Sequence, residues 1–491
     1  MMCTENKKPT LRGAIGPSRS PFLVGASWAL ATAVVLSGTT HGTDLQALRR
    51  HDCGACHGLT LQGGLGPPLT RETLASRDDA GLIDTILDDH PGTPMPAWAP
   101  LLSREQAAQM VRLLLGTETE EARETLALVI ERASGSILVI DATIHTVLGR
   151  IKGLGDLSHA SMEFSRDGRY AFVFGRNGGL TKLDLKTRQI VARVLQSGNS
   201  IGGALSRDGR FVAVANYTPG GVRVFETATL ASVADIPAIS RAGGAPSKVV
   251  GLVSAPGARF VFSLFEAGEI WLLDLADPLT PKIQRYQDAG PLPYDAFLTP
   301  DGRSYIAGLF GTEAMTLLDL ERPGAGARRI LDGYRKGESL RPVYKMPHLE
   351  GWTVAGTSVL FPAVGAPQVL VADTTAWTLT DRIPVQGQPV FVVSRPDGRE
   401  AWVNFALPDN DTIQVIDVTT RRVVRTLKVG RGILHMAFAP QGDAVWISSH
   451  DDDTIILCDP VTHEKTGTIP ALGPSGIFFA TLKTDDRGRG P

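Results

Sequence analysis

Cysteine is scarce: four residues among 491, too few for a fold built on disulfides. Aromatic side chains make up only 6% of the chain. Excess charge is missing too. Lys and Arg number 49 against 51 Asp and Glu, a formal net charge of −2, which gives no basic face of the kind that nucleic acid requires. No long apolar run occurs beyond residue 36, so the mature chain contains no candidate membrane span. Glycine and proline are plentiful instead, 53 and 32 residues, as expected of many short strands joined by turns. The 43% hydrophobic and 20% charged residues fit a soluble globular protein, and the length calls for more than one folding unit.

The single apolar run, Pro21 to Leu36 (PFLVGASWALATAVVL), follows Lys7, Lys8 and Arg12 and ends in SGTTHG. It is a little short to span a bilayer and reads as an export signal over residues 1–42. No clean A-x-A site precedes Thr43, and an uncleaved N-terminal anchor is the alternative. Either form places the rest of the chain in the periplasm.

The segment His51-Asp52-Cys53-Gly54-Ala55-Cys56-His57 holds C-x-x-C-H, the attachment signature of heme c. Two thiols three residues apart each form a thioether to the porphyrin edge, and His57 then lies under the iron. A redox C-x-x-C would want a βαβ context and a zinc site a second ligand pair; the sequence offers neither. Met95, in Gly92-Thr93-Pro94-Met95-Pro96, is the expected sixth ligand, with His90 as competitor. A thioether ligand raises the potential and suits an electron carrier. One helix is expected near Arg77 to Asp89. A second is opened by the capping box Ser103-Arg104-Glu105-Gln106, with Ala107, Met110, Val111 and Leu114 on one face. This outlines a small all-α class I cytochrome c domain over 43–116, then a linker over 117–124.

The rest of the chain repeats a turn: Ser165-Arg166-Asp167-Gly168-Arg169, Ser206-Arg207-Asp208-Gly209-Arg210, Ser254-Ala255-Pro256-Gly257, Thr299-Pro300-Asp301-Gly302-Arg303, Val354-Ala355-Gly356, Arg395-Pro396-Asp397-Gly398-Arg399 and Ala439-Pro440-Gln441-Gly442. An apolar strand follows each turn, and then a second strand ending in an acid: Asp184, Glu226, Asp274, Asp319, Asp373, Asp417 and Asp459. Four-stranded units at this period are propeller blades. Leu126 to Ile151, with Asp141 in the acidic position, and Gly473 to Leu482 are left over. Joined, they complete an eighth blade and close the ring. The expected fold is thus the cytochrome followed by an all-β eight-bladed propeller over 125–483, with a tail at 484–491. Seven blades is the fallback.

Function must come from sites and not from the fold. His159, His348 and His435 share one blade phase, at or just before the start of an inner strand, so all three are candidates to face the central channel. His145 and His463 are expected on the surface, and His450 in a solvated turn. Cys458 reads as a buried apolar residue of an inner strand.

A cytochrome c domain followed by such a propeller resembles the cytochrome cd1 nitrite reductase superfamily over most of the mature chain. Leu157-Ser158-His159, the following Ser165 to Tyr170 turn and Phe174-Gly175-Arg176 are similar to the segment that carries the proximal histidine of heme d1. The resemblance makes His159 an axial ligand of the d1 iron and Arg176 a partner for the macrocycle carboxylates. Nitrite reductases place two histidines over the distal face. The first corresponds to His348, but the second position holds Arg395, so the proton donor for nitrite reduction is missing. The loop Tyr344-Lys345-Met346-Pro347-His348-Leu349-Glu350-Gly351-Trp352 is similar instead to heme d1 biosynthesis proteins of the NirF and NirN types. The cytochrome domain makes NirN the more similar type.

The resemblance implies an oxidoreductase that converts dihydro-heme d1 to heme d1, turning a propionate side chain into an acrylate. Electrons would pass to heme c and on to an external acceptor. His159 and His348 would hold the d1 iron. His435 would be the base, since histidine titrates in the useful range. Tyr344, Lys345 and Arg395 would anchor carboxylates. Implied partners are the heme d1 precursor, other heme d1 biosynthesis proteins and the cd1 nitrite reductase. The alternatives are a true cd1-type nitrite reductase and a non-catalytic heme d1 carrier.

Overall fold

A computed structural model of the protein describes residues 45, 48–58, 61–75, 77–88, 93, 95–99, 101–115, 123–241, 243–310, 312, 314–333, 353–355 and 358–483. Among them α-helix occurs only before residue 116. A π-helical turn, Leu48–Cys53, runs into α1 (Gly54–His57), followed by α2 (Arg71–Leu74), α3 (Asp79–Leu87) and α4 (Arg104–Leu115). The start of α4 is the capping box foreseen above. The Ser103 hydroxyl accepts the Gln106 N–H at 3.2 Å, and the Gln106 carbonyl accepts the Ser103 N–H at 2.9 Å. The single-turn α2 is too short to show periodicity and was not expected; Thr70 and Thr73 cap it reciprocally. The apolar face of α4 buries Ala107 and Met110 against Leu45, Leu48, Leu87 and Leu102, with Leu114 packed beside them.

Beyond the cytochrome the described residues form eight four-stranded antiparallel sheets. Seven follow the chain, from the sheet opened by β4 (Ser161–Phe164) to that of β28 (Ile433–Phe438), β29 (Val445–Ser449), β30 (Thr454–Cys458) and β31 (Lys465–Pro470), and the eighth is β3 (Thr146–Ile151), β2 (Ser136–Asp141), β1 (Arg123–Glu131) and β32 (Pro474–Lys483). First strands touch in succession from β20 (Thr353–Ala355) through β24 (Pro389–Ser394), β28, β32, β4, β8 (Asn199–Leu205) and β12 (Val249–Ala255) to β16 (Pro293–Leu298), so they line the axis of an eight-bladed propeller. The layering explains the burial. In β5 (Tyr170–Phe174) and β6 (Gly179–Asp184) nearly every residue is buried between neighbouring blades, whereas the outer β7 (Gln189–Leu195) is largely exposed.

The repeated turns have a common chemistry. Ser165 Oγ donates to Asp167 at 2.5 Å, Asp167 accepts the Arg169 N–H at 3.1 Å, and Gly168 takes φ +70°, a region costly for any residue with a Cβ. Thr299, Asp301 and Gly302 repeat this arrangement. The recurrent aspartates at the ends of the third strands accept backbone N–H groups of the following turn: Asp184 from Lys186 and Thr187, Asp417 from Thr420, Asp459 from Val461 and Thr462; Glu226 instead accepts the Thr229 hydroxyl. The aspartate turns are Asx turns, which start the outer strand without tertiary help. Cys458 is buried as expected, but it ends the third strand of its blade, β30 (Thr454–Cys458), and not an inner one.

The ring closes in the blade that mixes both ends of the propeller sequence. Here β32 (Pro474–Lys483) pairs with β1 (Arg123–Glu131). Glu131, with no exposed side-chain surface, locks the junction. It accepts from Arg150 Nε at 3.0 Å, Ser136 Oγ at 2.6 Å and the Leu472 N–H at 2.9 Å. Arg150 is one-third exposed and stays hydrated without its partner, but the Ser136 hydroxyl and the Leu472 N–H lose their acceptor, so Glu131→Ala should cost about 1–3 kcal/mol. A lowered denaturant midpoint, with Glu131→Gln intermediate, would show it; an unchanged midpoint would mean the closure does not rely on this residue.

Candidate functional site

The heme-attachment segment is built on the junction of the π-helical turn with α1. His57 is buried, and its Nδ1–H donates to the Pro67 carbonyl at 2.7 Å. A carbonyl can only accept, so the neutral ring carries its lone pair on Nε2, the nitrogen left for iron; this is the usual way an outer hydrogen bond orients a ligating histidine. Gly66 makes room for the ring, since a Cβ there would stand 2.5 Å from His57 Cε1. Burial, then Asp52 and Cys56, pushes the Cys53 thiol up to about 12, and burial with Asp301 raises Cys56. Redox C-x-x-C motifs depend on lowered thiol pKa values, and neither thiol is lowered here. Met95 is half-buried, with its N–H 3.4 Å from Thr93 Oγ1. His90 lies outside the described residues.

This segment lies against the turns between first and second strands of the propeller. Cys56 is within electrostatic reach of Asp301, and Arg207 within reach of both Asp52 and Asp301. A Cβ on Gly58 would stand 3.2 Å from the Pro396 carbonyl.

At the other end of the first strands lies a second set of residues. Six first strands carry one extra residue near their start: β8 (Asn199–Leu205), β12 (Val249–Ala255), β16 (Pro293–Leu298), β24 (Pro389–Ser394), β28 (Ile433–Phe438) and β32. Bulges of this kind re-aim side chains and recur beside binding sites. His435 lies inside the bulge of β28 and Phe391 inside that of β24. The two rings meet edge to face with centroids 5.0 Å apart, and Phe478 of β32 stacks on the other side of His435 at 5.9 Å and 22°. The Ile477 N–H donates to His435 Nδ1 at 3.3 Å.

His159 is half-buried just before β4 (Ser161–Phe164). Arg176 joins it through the intervening backbone: its N–H donates to the Asp156 carbonyl at 2.8 Å, three residues before His159. The Arg176 guanidinium lies over the Tyr217 ring at 5.4 Å. Burial pushes the Tyr217 phenol up, with Arg176 opposing and Asp295 and Glu266 adding to the rise. Hydrogen bonds from Ser158, and then the positive charge of Arg176, hold the Asp156 carboxyl below the usual range. The structure therefore brings His159 and Arg176 to one end of the ring, the end at which His435 begins its strand. Tyr217, Phe391 and Phe478 are additions that sequence reasoning missed. Tyr217 had a detectable signal, since it stands at the same distance from its turn glycine, Gly209, as Arg176 does from Gly168 in the preceding blade.

Arg395 is not among these residues. It follows β24, at the opposite end of that strand from Phe391, and its guanidinium is already engaged. It donates to Asp397 at 2.7 and 2.8 Å and to Glu400 and the Pro460 carbonyl at 3.1 Å. The anchor role assigned to it is corrected on that ground. His463 is corrected as well: it is half-buried, its ring turned against Glu400 with Nε2 3.0 Å from the carboxylate. Tyr344, Lys345 and His348 lie outside the described residues.

Comparison with known proteins agrees with this geometry. Residues 122–483 match the family described as Cytochrome D1 heme domain. The chain belongs to that family. Residues 41–114 match a second family, Cytochrome C oxidase, cbb3-type, subunit III, so this cytochrome d1 heme domain protein carries a covalent heme c ahead of a heme d1-binding propeller. Protein NirF of Pseudomonas aeruginosa is 57% identical over 356 residues, covering 72% of this chain and 91% of that protein. Cytochrome c55X of Paracoccus denitrificans is 53% identical over 77 residues, 16% of this chain and 75% of that protein. A solved structure of dihydro-heme d1 dehydrogenase NirN in complex with DHE superposes with a TM-score of 0.62 at 26% identity, covering 88% of this chain and 98% of that one. Both halves thus resemble proteins that occur separately, while the whole length resembles NirN.

Two tests follow from the site geometry. Gly66→Ala should displace the His57 ring and convert the ferric heme c from low spin to high spin, as read by absorption and electron paramagnetic resonance; an unchanged spin state would show that the ring has room. Asp452 accepts from the Arg431 N–H at 2.6 Å and Ser449 Oγ at 2.7 Å, and pairs with Arg431 Nε at 2.7 Å, which clamps the approach to β28. These bonds hold its carboxyl at about 2. A group depressed on folding stabilises above its unfolded value, about 3.9, and that contribution fades as pH falls toward the folded value. Hydrogen exchange at residues 431–435 should accelerate on lowering the pH from about 5 to about 2.5 beyond the intrinsic change. Asp452→Asn should remove that pH dependence.

Proposed function

We propose that this protein is a periplasmic oxidoreductase of heme d1 biosynthesis that converts dihydro-heme d1 to heme d1. In the reaction a side chain –CH2–CH2–COO⁻ becomes –CH=CH–COO⁻, releasing two protons and two electrons. The observation that carries the reading is the pairing, in one chain, of a d1-family propeller with a cytochrome whose Cys56 lies within reach of Asp301 on the propeller's own turns. Covalent heme c supplies a one-electron acceptor, reoxidised by an external partner. A carrier of heme d1 has no need of such a group. NirN, similar over 88% of this chain, is named for this reaction.

The chain's residues take distinct parts. His159 and His348 would hold the d1 iron and so orient the macrocycle. Arg176, fixed over Tyr217, meets a rim carboxylate, with Tyr344 and Lys345 as further anchors. His435, held between Phe391 and Phe478, meets the side chain that is desaturated. The stronger identity to NirF favours a second reading, in which the propeller binds heme d1 and delivers it to the cd1 nitrite reductase without turnover.

Anaerobic mixing of dihydro-heme d1 with the ferric protein in at least twofold excess, so that two hemes c can take the two electrons, decides between them. The first reading expects the mature d1 spectrum to appear together with ferrous heme c; a bound spectrum that never progresses would leave the carrier. His159→Ala should abolish binding of dihydro-heme d1 while leaving the heme c spectrum intact. Arg176→Gln should weaken binding about ten- to a hundredfold, the value of one or two charge-assisted hydrogen bonds.

A further inference from the structure

Several arginines of the propeller turns are taken up by a carboxylate of their own blade. Arg169 pairs with Asp184 at 3.0 Å, Arg303 with Glu321 at 3.2 Å and Arg395 with Asp397 at 2.7 Å. Arg207, in the turn after β8, lacks such a partner: among the described residues its guanidinium has no ion pair and no hydrogen bond. It reaches instead across the neighbouring blade. A Cβ on Gly302 would stand 2.9 Å from Arg207 Nη2 and 3.3 Å from both Arg207 Cζ and Pro256 Cγ. The side chain therefore passes the Pro256 turn and lies, half-buried, on the bare backbone of Gly302, the residue after Asp301. Burial disfavours its charge, and the charged groups that bear on it there are Asp52 of the cytochrome, Arg166 and Asp301.

A carboxylate thus stands near each heme-attachment residue: Asp52 precedes Cys53, and Asp301 bears on Cys56. Reduction of heme c from ferric to ferrous takes up one electron and removes one positive charge. Negative neighbours resist that change and positive ones assist it. Arg49 already opposes Asp52 at Cys53. We propose that Arg207, a residue of the propeller, sets the potential of heme c from across the joint between the two domains, by offsetting Asp301 and Asp52. A half-buried charge is screened less than an exposed one, and no ion pair neutralises this one beforehand. The assignment deepens the function proposed above and rests on it for the source of the electrons: a heme c whose potential is kept up accepts them more readily from the macrocycle.

The test is an anaerobic redox titration of the full-length protein with heme c attached, read from the ferrous absorption band with no dihydro-heme d1 present. Arg207→Gln should favour the ferric state about tenfold, a potential lower by about 59 mV for a one-electron couple. Arg207→Lys keeps the charge and should stay within about twofold of wild type. Asp301→Asn should shift the balance about tenfold the other way, and the double variant Arg207→Gln/Asp301→Asn should return near wild type. Arg223→Gln removes a charge that is already paired with Asp235 and should change nothing.

The ferric and ferrous spectra should be the same throughout the series, because a charge effect leaves the iron ligands in place. A high-spin spectrum in Arg207→Gln would trace its effect to ligation and overturn the assignment. Equal potentials in wild type and Arg207→Gln, a lysine variant as low as the glutamine one, or a shift of the same size in Arg223→Gln would overturn it as well. If wild type binds dihydro-heme d1 and never oxidises it, the proposed reaction fails, and the potentials still decide the role of Arg207.

Discussion

Everything at the two ends of the propeller depends on one antiparallel pairing, that of β1 with β32. A sheet that does not close presents unpaired edges, and a ring of eight blades stands only if its last element finds its first. Here the closing strand comes from the far end of the propeller sequence, and its loop is tied down by the carboxylate of Glu131. The same strand supplies Phe478 and the Ile477 amide to His435. Ring closure and assembly of the candidate site are therefore one event, and a chain that had not closed would lack both the stack on the imidazole and the bond to its Nδ1.

The fold was legible because its signals are local. Ser165, Asp167 and Gly168 make their turn with bonds that span only a few residues, and the aspartates that end third strands start the next turn in the same way. Such chemistry repeats wherever the blade repeats, so a period of 41 to 54 residues between turn glycines exposes the architecture even though the blades differ in sequence. The split blade was also visible, as three strands without a fourth at one end and one strand alone at the other. The cytochrome was legible from seven residues for a comparable reason: covalent attachment fixes the spacing of its donors.

The site was legible in part. His159, Arg176 and His435 emerged from blade phase and resemblance, and the structure gathers them toward one end of the ring. What phase cannot reveal is the extra residue in a bulged strand. A period of two simply counts on through it, and the register of β28 changes between Ile433 and Met436 without any mark in the sequence. Phe391, inside a bulge of its own, was missed for that reason. Arg395 shows the converse failure. Its residue type suited an anion, but the turn that contains it also contains Asp397, and a nearer carboxylate takes the guanidinium first.

The contact between the heme-attachment segment and the propeller turns, at Asp52, Cys56 and Gly58, has a consequence for kinetics. Two modules that resemble separate proteins are held here on one chain, so their encounter is governed by a tether and not by diffusion. Joining two modules on one chain converts their meeting from a bimolecular to an intramolecular event. On the proposed electron path, dilution and competition from other cytochromes would slow a two-protein version of the exchange more than the fused one, and the onward step from heme c to an external acceptor would stay sensitive to supply.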